Sequence, residues 1–161
     1  MKAVEVIGIG LLLLGVSGCG VYSFSAGGKT FSSVNVSPFD NDTKEFLLSD
    51  RLTDALVDAF IQDNTVQIKE PSQAEAIMNG TVLSYRREAH TYDQQDNVEK
   101  YSVKVAVRVK VVKSGTDEAI WEKDFYAEGI YDANSETEED GQGRVIALLT
   151  ADILNQTTKS W

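Results

Sequence analysis

Residues 101–112 read YSVKVAVRVKVV, and this stretch decides the fold class. Every second residue from Val103 to Val111 is a valine, and most of the residues between them are polar or small. An alternation with a period of two, carried by β-branched side chains, is typical of a long strand that buries one face. Residues 114–117 predict a turn, and residues 119–131 predict an antiparallel strand that returns beside the first.

The segment before this hairpin predicts a strand followed by a helix. Residues 31–39 (FSSVNVSPF) alternate two valines with polar residues and predict a short strand. Residues 42–63 carry apolar side chains at helical spacing and acidic ones on the other side, which predicts an amphipathic helix. Asp42, followed three positions later by Glu45, has the form of a capping box and predicts the start of that helix.

The remaining segments complete the predicted order β-α-β-β-β-α, which counts the four main strands and leaves out the short strand at residues 66–68. Residues 66–68 predict a short strand and residues 73–92 a longer one, while the end of the chain predicts a second helix after the acidic run 136–140. The apolar stripe of that helix consists of Val145, Ile146, Leu149 and Ile153. We therefore expect an α+β two-layer sandwich, with a mostly antiparallel four-stranded sheet and two helices on one face.

The amino terminus predicts a secretory signal peptide over residues 1–18. Lys2 precedes an apolar run at residues 6–14, which is shorter than the roughly 20 residues of a membrane-spanning helix. Small residues then lead to Cys19, and Val16-Ser17-Gly18-Cys19 resembles the bacterial lipobox. That resemblance implies cleavage before Cys19, a diacylglycerol on its sulfur and an acyl chain such as palmitate on its amino group. A plain signal peptide with a stray cysteine and a membrane-anchoring helix are the alternatives.

The lone cysteine and the next residues predict where the protein works. Cys19 is the only cysteine, so the chain has no disulfide framework. Residue 20 is glycine rather than aspartate, which by the enterobacterial sorting rule implies the periplasmic leaflet of the outer membrane. Glycine- and serine-rich residues 19–30 predict a lipidated flexible tether, and residues 31–161 a single domain. The net charge of −10 argues against a nucleic-acid partner.

The residue inventory does not favour catalysis or a resident cofactor. His90 is the only histidine and has no cysteine in the domain to pair with, so we predict an exposed residue rather than a metal ligand or a nucleophile's base. The acidic run 136–140 is interpreted as favourable charge at a helix amino terminus. No signature of a serine hydrolase or a phosphate-binding loop occurs. We therefore predict no catalytic residue, no metal and no cofactor apart from the lipid.

One surface feature suggests a binding role. Lys104, Arg108 and Lys110 share the outward face of the long strand, and Arg86 and Arg87 lie on the neighbouring strand. Such a positive row could bind phosphates or an acidic partner. The alternative is a solvated sheet face, on which these cations pair across the hairpin with the carboxylates of Glu122, Asp124 and Glu128.

Several separate stretches resemble the LptE family of lipopolysaccharide-assembly lipoproteins. They are Cys19 to Phe24 (CGVYSF), Val34 to Asn41 (VNVSPFDN), Leu52 to Leu56 (LTDAL), Asn79 to Val82 (NGTV), Ser84 to Arg87 (SYRR), the strand 101–111 and Ala119 to Glu122 (AIWE). The resemblance implies the predicted sandwich and a non-enzymatic outer-membrane lipoprotein. It further implies a complex in which the protein plugs the β-barrel protein LptD, assists barrel assembly, and helps to deliver lipopolysaccharide to the outer leaflet.

A second class of protein shares the opening strand and helix. The stretch from Val34 to Phe39 (VNVSPF), followed by an amphipathic helix, also resembles curli-secretion lipoproteins and TolB-type amino-terminal domains. Those families build oligomeric envelope scaffolds. An oligomeric scaffold lipoprotein is therefore the alternative function, and a lipid-anchored periplasmic enzyme is a third, which the missing motifs disfavour.

Overall fold

The computed structural model describes residues 31–159, in which two helices cover one face of a sheet. The elements in chain order are β1 Ser33–Val36, β2 Asp40–Asn41, α1 Leu48–Asp63, β3 Gln67–Ile68, β4 Ala76–Tyr92, β5 Val98–Lys113, β6 Ala119–Asp132 and α2 Glu138–Thr158. The predicted signal peptide 1–18, the predicted tether 19–30 with its predicted lipid attachment site Cys19, and the last two residues lie outside the described part of the chain.

Strand β5 forms the centre of the sheet, as its alternation predicts. It pairs antiparallel with β4 on one side and with β6 on the other. The five valines at odd positions from Val103 to Val111 are at most 3% exposed and belong to the core. Their even-numbered neighbours therefore point to the sheet face that the helices leave uncovered, which we call the open face.

The predicted mostly antiparallel, four-stranded sheet is wrong in two respects. The sheet is mixed and has six strands, in the order β3-β1-β4-β5-β6 with β2 beside β4. Strand β1 runs parallel to both β3 and β4, and β2 runs parallel to β4. The reason is the helix between them: α1 carries the chain back to the starting end of the sheet, so the strands on either side of it run in the same direction.

Helix α1 has the predicted apolar stripe but not the predicted start. Its buried face includes Leu52, Leu56 and Phe60, at most 1% exposed. The capping box of Asp42 and Glu45 is wrong, because the helix begins at Leu48. The Asp42 amide instead donates to the Val82 carbonyl at 3.0 Å. The Asn41 side chain accepts from the Thr43 amide and donates to the Glu45 carbonyl, which holds these residues in a turn.

Helix α2 confirms the interpretation of the acidic run as a helix amino terminus. Thr137 caps it in a reciprocal capping box with Asp140, and Glu138 and Glu139 also lie in the first turn. The predicted stripe is buried, with Val145, Leu149 and Ile153 at 0% exposure and Ile146 at 7%. The helix packs mainly against β6 and also contacts β5 and α1.

Candidate functional site

The open face carries the basic residues that the sequence singles out. Lys104, Arg108 and Lys110 occupy even positions of β5, and Arg86 lies directly opposite Lys104 on β4. We call these four residues the basic row. The register of the β5–β6 hairpin sets Lys104 opposite Glu128, Arg108 opposite Asp124 and Lys110 opposite Glu122.

Two members of the basic row are held in ion pairs. The Lys104 ammonium lies 2.8 Å from a Glu88 carboxylate oxygen and 3.8 Å from Glu128. The Arg108 guanidinium donates through Nε and Nη2 to the two oxygens of Asp124, at 2.8 and 3.0 Å. The Arg108–Asp124 contact confirms the pairing across the hairpin that the solvated-face interpretation expects. Lys104 lies near its expected partner Glu128 but is held more closely by Glu88 of β4, which the sequence reasoning did not name.

The same contacts shift the acid–base properties of the partners. Hydrogen bonding to Glu88 raises the pKa of Lys104 and lowers that of the Glu88 carboxyl. The hydrogen bond with Asp124 raises the pKa of Arg108, and the pKa of Asp124 falls for the same reason. All four groups are therefore charged at neutral pH. Because they are exposed, these pairs contribute little to stability.

Lys110 differs from the other β5 cations. It faces Asn79 on β4 and Glu122 on β6, but within residues 31–159 its ammonium makes no ion pair shorter than 4.0 Å. Across the open face as a whole, the four cations of the basic row stand among four carboxylates, those of Glu88, Glu122, Asp124 and Glu128. The formal charges cancel, so the face is neutral on a chain whose net charge is −10.

A shallow hollow of about 310 Å³ lies in the middle of the open face. The register places Ser84, Ala106 and Tyr126 side by side across three strands, and the two small side chains leave a depression next to the large one. Arg86, Lys104 and Glu128 line one side of it, and Tyr126 is 71% exposed. The hollow combines an aromatic surface with charged hydrogen-bonding groups.

Arg87 does not belong to the open face, although the sequence groups it with Arg86. Successive residues of a strand project to opposite faces, and a bulge at Leu83 determines which arginine projects where. The Arg87 guanidinium lies on the helix side, 3.7 Å from the centre of the Tyr101 ring, and donates to the Tyr131 hydroxyl. It also forms an ion pair with Glu138 at 3.4 Å.

A polar network beside Arg87 is the feature that sequence reasoning missed. The Tyr85 hydroxyl donates to the Glu138 carboxylate and accepts from the Gln142 amide at 3.1 Å, and Arg51 of α1 donates to Gln142 at 3.0 Å. Burial, together with the hydrogen bond to Glu138, raises the pKa of Tyr85 above its ordinary value. The partners are 53 or more residues apart in sequence, so no local pattern signals their contact.

The histidine and the acidic side chains of residues 31–159 form no metal-binding arrangement. His90 is exposed, as predicted, and its Nδ1 lies 3.7 Å from Glu128. This part of the chain holds no cluster of three or more histidine, cysteine or acidic side chains suited to a metal ion. None of its helices is both long and apolar enough to cross a membrane. What the open face offers is binding through charge and flat contact.

Comparison with solved structures identifies the same fold in several bacterial proteins. A DUF330-family protein from Xanthomonas campestris superposes with a TM-score of 0.62 at 9% identity, covering 81% of this chain and 85% of that one. A PelC dodecamer subunit from Paraburkholderia phytofirmans superposes with a TM-score of 0.53 at 15% identity, covering 80% of this chain and 89% of that one. A minor lipoprotein from Acinetobacter baumannii superposes with a TM-score of 0.51 at 16% identity, covering 80% of this chain and 91% of that one. At these identities the likeness establishes the fold alone.

The family assignment comes from sequence. No curated protein matches this chain significantly. The family model for lipopolysaccharide assembly, LptE, matches residues 31–157, which span every strand and nearly all of α2. The match confirms the resemblance that the separate motifs indicate. The chain belongs to the LptE family of lipopolysaccharide-assembly proteins.

Proposed function

We propose that this protein is an outer-membrane lipoprotein that complexes with the β-barrel protein LptD. In that complex it plugs the barrel, assists its assembly and helps to insert lipopolysaccharide into the outer leaflet. The observation that carries the proposal is the family match over residues 31–157, because it covers the whole described domain rather than a single motif. The exposed charged groups of the open face and its shallow hollow support a binding role.

The proposal includes a lipid on Cys19 that holds the domain at the periplasmic leaflet. The lipobox-like Val16 to Cys19 sequence supports this, and eleven residues separate the anchor from Phe31, which is 6% exposed and marks the start of the packed domain. At about 3.4 Å per extended residue, that segment allows the domain to work roughly 40 Å from the membrane surface.

The proposal also assigns the open face to contact with lipopolysaccharide or with the barrel wall. The basic row supplies donors for phosphate, but Lys104 and Arg108 must exchange their carboxylate partners to use them. Lys110 and Arg86 are the cations that are easiest to recruit: Lys110 makes no close ion pair within residues 31–159, and Arg86 pairs only loosely with Glu88, at 3.9 Å.

Depletion of the protein tests the assembly role most directly. We expect surface lipopolysaccharide to fall and LptD to accumulate in a misassembled form, and expression of the wild-type chain to restore both. Normal surface lipopolysaccharide together with a correctly folded barrel after depletion would contradict the proposal. Affinity purification of the tagged protein from outer membranes should recover LptD in a one-to-one ratio.

The anchor has a separate test. The Cys19→Ala chain should lose palmitate labelling and no longer fractionate with the outer membrane, whereas the Ser23→Ala chain, altered four residues later, should keep both properties. Equal labelling of the two variants would exclude Cys19 as the acylation site without affecting the proposed complex with LptD.

A further inference from the structure

Strand β6 is one edge of the sheet, and its even-numbered residues direct their backbone groups away from β5. The Ile130 carbonyl accepts from Arg144 Nη1 at 2.7 Å, and the Asp132 amide donates to the Glu136 carboxylate at 2.8 Å. The amide of Ala133, an odd residue, donates to Glu99 of β5 at 3.0 Å. Backbone groups alternate along an antiparallel strand, so the even residues before Ile130 also point to the edge.

The edge is closed at one end and open along the rest. Arg144 and Glu136, which also pair with each other, satisfy the backbone at Ile130 and Asp132. For Glu122, Asp124, Tyr126 and Glu128, no hydrogen bond from the edge-facing amide or carbonyl to any group within residues 31–159 is present. We call residues 122–128 the open strip. It is about 24 Å long at the usual rise of a strand.

A groove of about 590 Å³ runs beside the open strip. One wall of the groove is β6, which contributes residues 123–126. The other is the second half of α2, which contributes Asp152, Asn155 and Gln156, together with Lys159 just beyond its end. The Lys123 ammonium donates to Gln156 Oε1 at 3.1 Å, which links the two walls. In a strand added to this edge, side chains would alternate between the two faces of the sheet. Those that face the helices would enter this groove, and the others would lie on the side of the open face.

The charge of the strip disfavours a second copy of this chain as the occupant. Glu122, Asp124 and Glu128 form a row of carboxylates, the acidic rim, on the open-face side of the strip. Asp124 and Glu128 already lie beside Arg108 and Lys104, so an incoming cation would share or exchange these partners, whereas Glu122 is only loosely engaged, 3.9 Å from Arg108. If two copies paired through this edge in a symmetric antiparallel arrangement, the acidic rim of one copy would lie opposite the acidic rim of the other. Like charges placed opposite each other are destabilising. The net charge of −10 adds long-range repulsion between two copies.

We propose that the open strip binds an extended segment of a partner polypeptide by strand addition, and that this segment carries lysine or arginine at alternate positions facing the acidic rim. Backbone hydrogen bonds between the strip and the segment supply the affinity, and the carboxylates of the acidic rim supply the specificity for cationic side chains. Other sheet edges recognise extended peptides in the same way. The Arg144–Glu136 pair sets the length of the segment, because it occupies the edge beyond Glu128. This proposal does not depend on the role in lipopolysaccharide assembly.

The test uses the full-length chain and three synthetic nine-residue peptides. The first alternates lysine with threonine, the second replaces each lysine by glutamate, and the third is the lysine peptide with every amide N-methylated. With the first, we expect hydrogen exchange of the Asp124, Tyr126 and Glu128 amides to slow at least tenfold at saturation. The glutamate peptide should bind at least tenfold more weakly, and the N-methylated peptide should give no protection.

A pair of variants at one position tests the backbone contact. Tyr126→Pro removes an edge-facing amide and should weaken binding of the lysine peptide at least tenfold, while Tyr126→Ala keeps the amide and most of the affinity. The peptide series decides the question if the proline variant does not fold. Three results would overturn the proposal: equal binding of the N-methylated peptide, perturbations confined to the basic row, or exchange protection of the strip that grows with protein concentration alone.

Discussion

At the residue scale, the tightest constraint lies where helix α2 meets strand β6. Gly129 faces the first turn of the helix so closely that a Cβ at this position would stand 2.2 Å from the Gly141 carbonyl oxygen. Gly141 in turn leaves no room for a Cβ, which would lie 2.7 Å from the Tyr131 ring. The two glycines allow the helix to approach the sheet closely, and this approach brings Glu138 within reach of Arg87 and Tyr85.

Adding one methyl group should therefore be costly at Gly129. We expect Gly129→Ala to lower the free energy of unfolding by about 1–3 kcal/mol, because backbone atoms must move to accommodate the Cβ. The control is Gly143→Ala in helix α2, where a Cβ has no neighbour within 4 Å. That change should raise stability by up to about 1 kcal/mol through helix propensity. Urea denaturation measures both, and equal effects would contradict the packing argument.

The buried hydroxyl of Thr150 marks a position where a substitution should raise the stability of the protein. The Thr150 Oγ1 is buried in α2 and has no hydrogen-bond partner among the described residues, which leaves its desolvation uncompensated. Thr150→Val should raise the free energy of unfolding by about 0.5–1.5 kcal/mol. In the control Thr157→Val, the lost hydroxyl donates to the Ile153 carbonyl at 2.7 Å, and no gain is expected. A loss of stability in Thr150→Val would indicate that the hydroxyl has a partner.

At the scale of elements, helix α2 is held by its first turn. Its apolar stripe packs on β5 and β6, but its amino-terminal end is positioned by polar groups from two other elements, β4 and α1. Tyr85 of β4 and Arg51 of α1 both reach Gln142, and Tyr85 also contacts Glu138. This network fixes the direction of the helix, because an apolar stripe alone would permit it to slide along the sheet.

Removing one hydroxyl from this network should loosen the helix. Tyr85→Phe leaves the ring in place but deprives Glu138 and Gln142 of a partner, and the half-buried site should lose about 1 kcal/mol of stability. Hydrogen exchange in residues 138–142 should accelerate more than exchange in the carboxyl-terminal half of α2. Tyr126→Phe, which removes an exposed hydroxyl from the open face, serves as the control, and an equal effect of the two changes would contradict the anchoring role.

The capping box of α2 predicts an acid-sensitive element. Hydrogen bonds from the Thr137 amide and hydroxyl lower the pKa of Asp140. A carboxyl with a depressed pKa in the folded state stabilises at neutral pH, and the contribution disappears as the pH falls below about 4, through the folded pKa. Asp140→Asn should thus be less stable than wild type at pH 7, with a smaller difference at pH 3. Asp152→Asn, in the middle of the helix, controls for the loss of charge.

At the scale of the whole molecule, charge is distributed unevenly. The net charge is −10, yet the open face is neutral because each cation of the basic row has carboxylates beside it. An anionic ligand therefore meets less repulsion on the open face than elsewhere, although it does not meet a strongly positive surface. This favours a large ligand or partner that covers the face over a single phosphate held tightly.

If lipopolysaccharide binds to the open face, Lys110 should contribute more than the paired cations. We expect Lys110→Gln to weaken lipopolysaccharide binding up to about fivefold, since an exposed charge pair contributes about 0.2–1 kcal/mol. Lys123→Gln, which removes the same charge from the helix-side groove, should have no effect. Binding of labelled lipopolysaccharide to the full-length chain measures both. An equal loss of lipopolysaccharide binding in the two variants would indicate that only non-specific electrostatic attraction is being measured.

Much of the fold and part of the site are predictable because they depend on local spacing. The valines of β5 determine which face is buried, so the placement of Lys104, Arg108 and Lys110 on the other face beside carboxylates of β6 is predictable. The exact register is not, because an irregularity beside the turn, between Val111 and Val112, shifts the pairing of β5 and β6 by one residue. The start of α1 is not, because the Asn41 turn and the Asp42–Val82 hydrogen bond outcompete a capping sequence of the right form.

The sequence by itself determined the main strand and helix segments apart from the start of α1 and the short strand β2, the buried faces of β5, α1 and α2, the exposed His90, and the motifs that place the chain in its family. Tertiary structure alone decided that β1 runs parallel to β4, that the bulge at Leu83 separates Arg86 from Arg87, and that β6 leaves an open edge. The physical reason is the range of the interactions. Periodicity reports which side of an element is buried, whereas strand direction, bulges and sheet edges depend on contacts between residues far apart in the chain.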